Sequence, residues 1–98
     1  MQVKNPAVAG TLESCDVQIS VFPNAGNGIE ISLNSIVKVM FGDAILHTVR
    51  SVLDDFGVSD AVVQVNDKGA FDWVIRARMQ AALCRAAGAD FDWKGAGA

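Results

Sequence analysis

The sequence predicts an α+β fold, a small sheet of about three strands with two helices packed on one face, and three observations carry that prediction. Residues 15–22 and 29–33 alternate apolar and polar side chains with the period of half-buried strands. Two longer stretches, 37–56 and 70–86, repeat apolar residues at helical spacing. Between them, Val58 to Val65 is a β-branched run too short for a helix. The order strand, strand, helix, strand, helix leaves each element with one apolar face, and helices laid on a sheet bury all of them together.

Taken in order, Met1 to Pro6 is polar and reads as loosely held, and Ala7-Val8-Ala9 reads as a short edge strand. In the first long strand Val17, Ile19 and Val21 fall on one side and Asp16, Gln18 and Ser20 on the other, with Phe22 closing it. Pro23-Asn24-Ala25-Gly26-Asn27-Gly28 is a concentrated turn signal, and Ile29-Glu30-Ile31-Ser32-Leu33 alternates again. The two strands are therefore expected to form a hairpin. Asn34 or Ser35 is a candidate cap for the first helix, whose inner stripe would be Val37, Met40, Phe41, Ala44, Ile45, Val49, Val52, Leu53 and Phe56, stopped by Gly57. Gly42 inside that run costs about 1 kcal/mol relative to Ala in an exposed helix, so it predicts either a break at Asp43 or a close packing contact. Asn66-Asp67-Lys68-Gly69 reads as the turn after the last strand. The second helix starts near Ala70, with Phe71, Val74, Ile75, Met79, Ala82, Leu83 and Ala86 inside and Gly88 as its stop. Residues 1–98 form one domain in this reading, and the Gly- and Ala-rich stretch from about 89 is a frayed tail in which Phe91 and Trp93 are candidates to fold back or touch a partner.

Composition narrows the function. About half of the 98 residues are hydrophobic, enough for a modest core without metal or disulfide help, and no metal site is expected. A net charge of −3 gives no general attraction to nucleic acid or to an anionic membrane surface, and favours basic protein partners. No stretch approaches the roughly 20 apolar residues that cross a bilayer. Cys15 and Cys84 have no metal-binding or redox spacing and read as reduced thiols of a cytoplasmic protein.

The chemistry concentrates in Gly10-Thr11-Leu12-Glu13-Ser14-Cys15-Asp16, where one hydroxyl stands between two carboxylates. Hydrolytic use of Ser14 would need a base held by an orienting partner, and the single histidine, His47, falls in a predicted helix. Pairing Cys15 with His47 fails for want of a third, orienting group. A covalent handle needs only an accessible hydroxyl on an exposed segment. On spacing alone, Ser14 is an ordinary turn serine and Glu13 and Asp16 are solvated carboxylates. Trp73 and Met79 read as core or core-edge residues, and Arg76, Arg78 and Arg85 as a solvated face with ion pairs, Asp72 pairing with Arg76 four residues on. Lys68-Gly69 lacks the glycine pattern of a phosphate-cradling loop.

Ala9-Gly10-Thr11-Leu12-Glu13-Ser14, with Asp16-Val17 one residue later, resembles the prosthetic-group segment of the acyl carrier (gamma) subunit of citrate lyase. Phe41-Gly42-Asp43-Ala44-Ile45, Asp67-Lys68-Gly69-Ala70 and Ile75-Arg76-Ala77-Arg78 continue the resemblance in the family's order across about the whole chain. Cys15 departs mildly from the small Gly or Ser usual at that place. The resemblance implies a non-catalytic carrier of citrate fermentation whose Ser14 bears 2'-(5''-phosphoribosyl)-3'-dephospho-CoA through a phosphodiester. Acetyl and citryl thioesters would be held on that arm while alpha and beta subunits cleave citrate to acetate and oxaloacetate. Glu13 and Asp16 would then mark the surface read by the prosthetic-group transferase. Carriers of citramalate lyase and malonate decarboxylase, or an unmodified α+β interaction or ligand-binding subunit, remain alternatives. Ordinary acyl carriers are helical bundles, and the alternation from Val17 to Leu33 argues against that architecture.

Overall fold

The computed structural model describes residues 1–88. Six elements run in the order β1 (Ala7–Gly10), β2 (Val17–Phe22), β3 (Ile29–Ser35), α1 (Lys38–Asp55), β4 (Ala61–Asp67) and α2 (Asp72–Ala87). The class is the expected α+β, with the short edge strand making the sheet four-stranded in the order β1-β2-β4-β3. The proposed tail from about 89, with Phe91 and Trp93, lies outside the described residues.

The expected hairpin between β2 and β3 does not form. β4 lies between them, antiparallel to β2 with Ile19 opposite Val65, and parallel to β3 with Leu33 opposite Val65. A tight turn reverses the chain but does not choose its neighbour. Ala61, Val63 and Val65 of β4 are fully buried, so this strand belongs at the centre, where both edges are paired. The parallel pairing becomes possible because α1 supplies the long crossover that parallel strands require. The true hairpin is β1 with β2, from Ala7 opposite Val21 to Gly10 opposite Gln18.

Register puts Ala9, Val17, Ile19, Val21, Ala61, Val63 and Val65 on one face, and there the helices close the core with Val49, Val52, Leu53, Ile75, Met79, Leu83 and Ala86. α2 lies over β1 and β2, and α1 lies over β3 and beside α2. The opposite face carries Gln18, Ser20, Ser32, Asn34, Gln64 and Asn66, and neither described helix covers it.

Several boundaries shift for physical reasons. Asn34 and Ser35 belong to β3, and α1 begins after Val37 without a side-chain cap, although Ser35 Oγ accepts the Val37 N–H at 3.1 Å. Gly42 does not break α1; it is buried, and a Cβ there would stand 3.3 Å from Lys38 Cγ and 3.8 Å from Leu33 Cδ2, the close packing contact that was the alternative. Cys15 precedes β2 rather than opening it, and β4 runs on through Asp67. Gly88 ends α2 at φ 67°, a conformation open to glycine. The first six residues are held rather than loose: Val3 is buried, and the amides of Lys4 and Asn5 both donate to the carbonyl of Ala86 at 3.0 Å. Phe71, Trp73 and Met40, read as inner or core-edge residues, are 67%, 70% and 78% exposed. Met40 and Trp73 lie on helix faces turned away from the buried stripes through Ile45, Val49 and Val52 and through Ile75, Met79 and Ala82, and Phe71 precedes the first turn of α2.

Candidate functional site

The β1–β2 loop, residues 11–16, carries the serine. Gly10 enters it at φ 88°, and a Cβ there would fall 1.8 Å from the carbonyl oxygen of Val17, so the chain can reverse at this point only with glycine. Asp16 then holds the loop closed. Its carboxylate accepts from Thr11 Oγ1 at 2.7 Å, from the Val17 amide at 2.7 Å, and from Arg78 Nε and Nη2 at 3.1 and 2.9 Å. The Arg78 guanidinium and the Thr11 hydroxyl favour the ionised form and bring the Asp16 pKa down from 3.8 to about 2. Asp16 is thus not the solvated carboxylate of the plainer reading: its side chain is only 15% exposed.

A second set of bonds fastens the loop to the turn after β4. The Cys15 amide donates to the Lys68 carbonyl and the Lys68 amide to the Asp16 carbonyl, both at 2.9 Å. Cys15 sits at φ 64°, unusual for a residue with a side chain, and its thiol is exposed and free; Cys84 is also a free thiol, half-buried, with its pKa raised by desolvation. That leaves Ser14 exposed at the loop tip, and among the described residues no hydrogen bond engages its hydroxyl. Glu13 is exposed beside it, its amide bonded to Thr11 Oγ1 at 3.2 Å. His47 lies on the exposed side of α1.

The sequence gives Thr11 a place in the serine segment but no role for it, and nothing local ties Lys68 or Arg78 to that segment. Arg78 had been assigned to a solvated arginine face, and 62 residues separate it from Asp16, so no local pattern announces the pair. Arg76 does pair with Asp72, at 3.2 Å, while Arg85 Nη1 donates to the Val8 carbonyl at 2.6 Å and ties α2 to the edge strand.

The same end of the molecule carries an apolar cavity of about 340 Å³ between the starts of α1 and α2, lined by Val37, Phe41, Ala44, Ile45, Ala70 and Ile75, with Phe71 and Asp72 also in its wall. The turn behind it is set by buried Asp67, which accepts the Ser35 hydroxyl at 2.7 Å and the Ala70 amide at 2.9 Å. Asp72 accepts from buried Thr48, and that bond, with the Arg76 pairing, lowers its pKa. Among the described residues no group of His, Cys, Asp and Glu is arranged to hold a metal ion, and no helix is long and apolar enough to cross a membrane.

Residues 4–86 match the family model of the malonate decarboxylase delta subunit. The citrate lyase acyl carrier protein of Clostridium perfringens is 49% identical over 94 residues, 95% of this chain and 93% of that protein. Its counterpart in Weissella paramesenteroides is 56% identical over 87 residues, 88% of each chain, and that of Vibrio cholerae 52% over 86 residues, again 88% of each. Among solved structures, a chain of a Pseudomonas malonate decarboxylase hetero-tetramer bound to malonate superposes with a TM-score of 0.63 over 83% of this chain and 82% of that one. At 18% identity the likeness is one of fold. With half of its residues shared along nearly its full length and the serine loop presented at one end of the same fold, the chain belongs to the family of citrate lyase acyl carrier proteins, which are carriers and not catalysts.

Proposed function

We propose that this protein is the carrier subunit of a citrate lyase and that Ser14 Oγ is the point at which its prosthetic group is attached. The observation that supports this most directly is the Ser14 hydroxyl itself, exposed and without a hydrogen bond among the described residues, at the tip of a loop that Thr11 and Asp16 hold in shape. A transferase can reach such an oxygen, and a long arm can leave it without crossing the protein. The residues present fit a phosphodiester-linked arm: the attachment oxygen is a primary alcohol, and the neighbouring Asp16 charge is neutralised by Arg78.

The group proposed is 2'-(5''-phosphoribosyl)-3'-dephospho-CoA, which supplies a terminal thiol for acetyl and citryl thioesters. The chain's own part is mechanical. Thr11, Asp16 and Arg78 fix the loop so that Ser14 points outward, and exposed Glu13 is the carboxylate offered to the transferase, with Asp16 shaping the loop it reads. Tethering makes the encounter with an acetyl-exchanging alpha subunit and a citryl-cleaving beta subunit effectively intramolecular. A cytoplasmic location follows from the partners this role requires.

The test is co-expression with arm-synthesising enzymes, followed by intact mass and by citrate cleavage with the two catalytic subunits. Wild type should gain the arm's mass and support turnover, and Ser14→Ala should do neither while melting within about 0.5 kcal/mol of wild type. Prosthetic mass on the alanine variant would remove Ser14 as the attachment site. The family model and the Pseudomonas structure also bring in malonate decarboxylase, and assembly with that enzyme's subunits instead of citrate lyase's would redirect the reading.

A further inference from the structure

The cavity between the starts of α1 and α2 shares an end of the molecule with Ser14, and the connection is short. Cys15, the residue after the serine, donates its amide to Lys68, the residue before Gly69 in the cavity wall. An arm that begins at Ser14 therefore begins next to the turn that leads into the wall of an apolar recess. About 340 Å³ lies at the small end of ligand sites, which run from about 300 to 1,000 Å³, so the space suits the end of an arm and not its whole length. The lining sets the chemistry: Val37, Phe41, Ala44, Ile45 and Ile75 offer nothing to a phosphate or a ribose, and the one charged side chain among the described lining residues, Asp72, is a carboxylate already paired with Arg76.

We propose that this recess is a resting site for the acyl end of the arm, taking the acetyl thioester with the methylenes beside it and excluding the citryl form. The proposal rests on the reading of Ser14 as the attachment point and deepens it. The nucleotide part, with its phosphates, and the amides and hydroxyl of the pantetheine stay at the mouth and outside in water. The acetyl thioester is uncharged and loses little on entering an apolar space, whereas the free carboxylates of a citryl group would have to be stripped of water without a cationic partner in the wall. Exchange of acetyl for citryl would then release the arm towards the next active site, and cleavage back to acetyl would let it return. The exposed rings of Phe41 and Phe71 flank the recess, where they shield a seated thioester from solvent.

The experiment uses full-length protein carrying the arm, verified by intact mass, in unloaded, acetyl and citryl forms, with isoleucine methyl groups observed by NMR. The Ile45 and Ile75 methyls should shift on going from Ser14→Ala protein to the acetyl form and revert in the citryl form, while Ile29, near the opposite end of the sheet, should not move. Hydroxylamine gives a second readout: its nitrogen adds to the acetyl carbonyl, the C–S bond breaks, and acetohydroxamate and the free thiol are released. That cleavage should be about tenfold slower than for acetyl-pantetheine free in solution, the factor for an arm seated roughly nine-tenths of the time. Ala44→Trp, which fills the recess from a position exposed on α1, and Phe71→Ser, which opens its wall, should both restore the free rate. Unmoved Ile45 and Ile75 methyls in protein whose mass proves acetylation would overturn the inference and leave the attachment site standing. Absence of the arm's mass would instead remove the reading beneath it. Shifts produced by adding catalytic subunits to arm-free Ser14→Ala protein, but not by acetyl loading, would overturn it in favour of a protein-docking surface.

Discussion

Asp16 shows how one side chain can serve a site without being its reactive group. It turns two charges and a hydroxyl into a fixed loop, since Arg78 meets it through two nitrogens and Thr11 closes the other side. Removing the arginine by Arg78→Ala should cost about 1–2 kcal/mol at neutral pH, less than for a buried pair because the arginine stays partly in water. The pH dependence has a defined sign. The Asp16 pKa is lower in the folded protein than its ordinary 3.8, so the contribution is complete above that value and disappears as pH falls towards about 2. Urea unfolding of wild type and Arg78→Ala should accordingly show a stability gap that narrows across that window; a gap independent of pH would assign the arginine's effect to packing. The pair explains what a sequence reading could and could not see here. Ser14 is legible because its neighbours form a continuous motif, and its brace is not, because the arginine arrives from a helix that only tertiary folding brings alongside.

At the scale of elements, the β1–β2 hairpin is the unit that presents the serine, and Gly10 is the position on which its geometry turns. Gly10→Ala combines a left-handed φ of 88° with a Cβ 1.8 Å from the Val17 carbonyl oxygen, a backbone atom that cannot move without breaking the pairing of β1 with β2. A loss of more than about 2 kcal/mol is expected, beyond the cost of left-handed backbone alone, and thermal unfolding will measure it. Hydrogen exchange should find the damage in β1 and the serine loop, with β4 still protected. The two helices were recovered from periodicity nearly end to end, because a stripe repeating at helical spacing is a property of the chain itself. The inner stripes read from spacing are wider than the buried ones, since Met40 lies off the face that Ile45, Val49 and Val52 bury, and Phe71 precedes the first turn of α2. An apolar residue near a stripe is not thereby on it.

In the whole molecule, the stabilising core and the exposed serine loop are separated in space. The core runs beneath the helices, with Met79 and Leu83 of α2 fully buried in it, while Ser14 and the apolar recess share one end. Met79→Ala should therefore lower stability by about 2–5 kcal/mol without preventing attachment of the arm below the melting temperature, a pairing of results that calorimetry and intact mass can check together. The amino-acid sequence by itself determined the element types, the alternating faces of β2 and β3 and the serine motif, because alternation, helical stripes and turn residues are local signals. Strand neighbours were decided elsewhere. The turn at 23–28 favours a chain reversal, and any hairpin it could start must compete with β4, whose Ala61, Val63 and Val65 are fully buried, for the place beside β2. That competition, the Asp16–Arg78 brace and the recess beside Ser14 all depend on residues far apart in the chain, and only packing the two helices onto one face of the sheet brings them together.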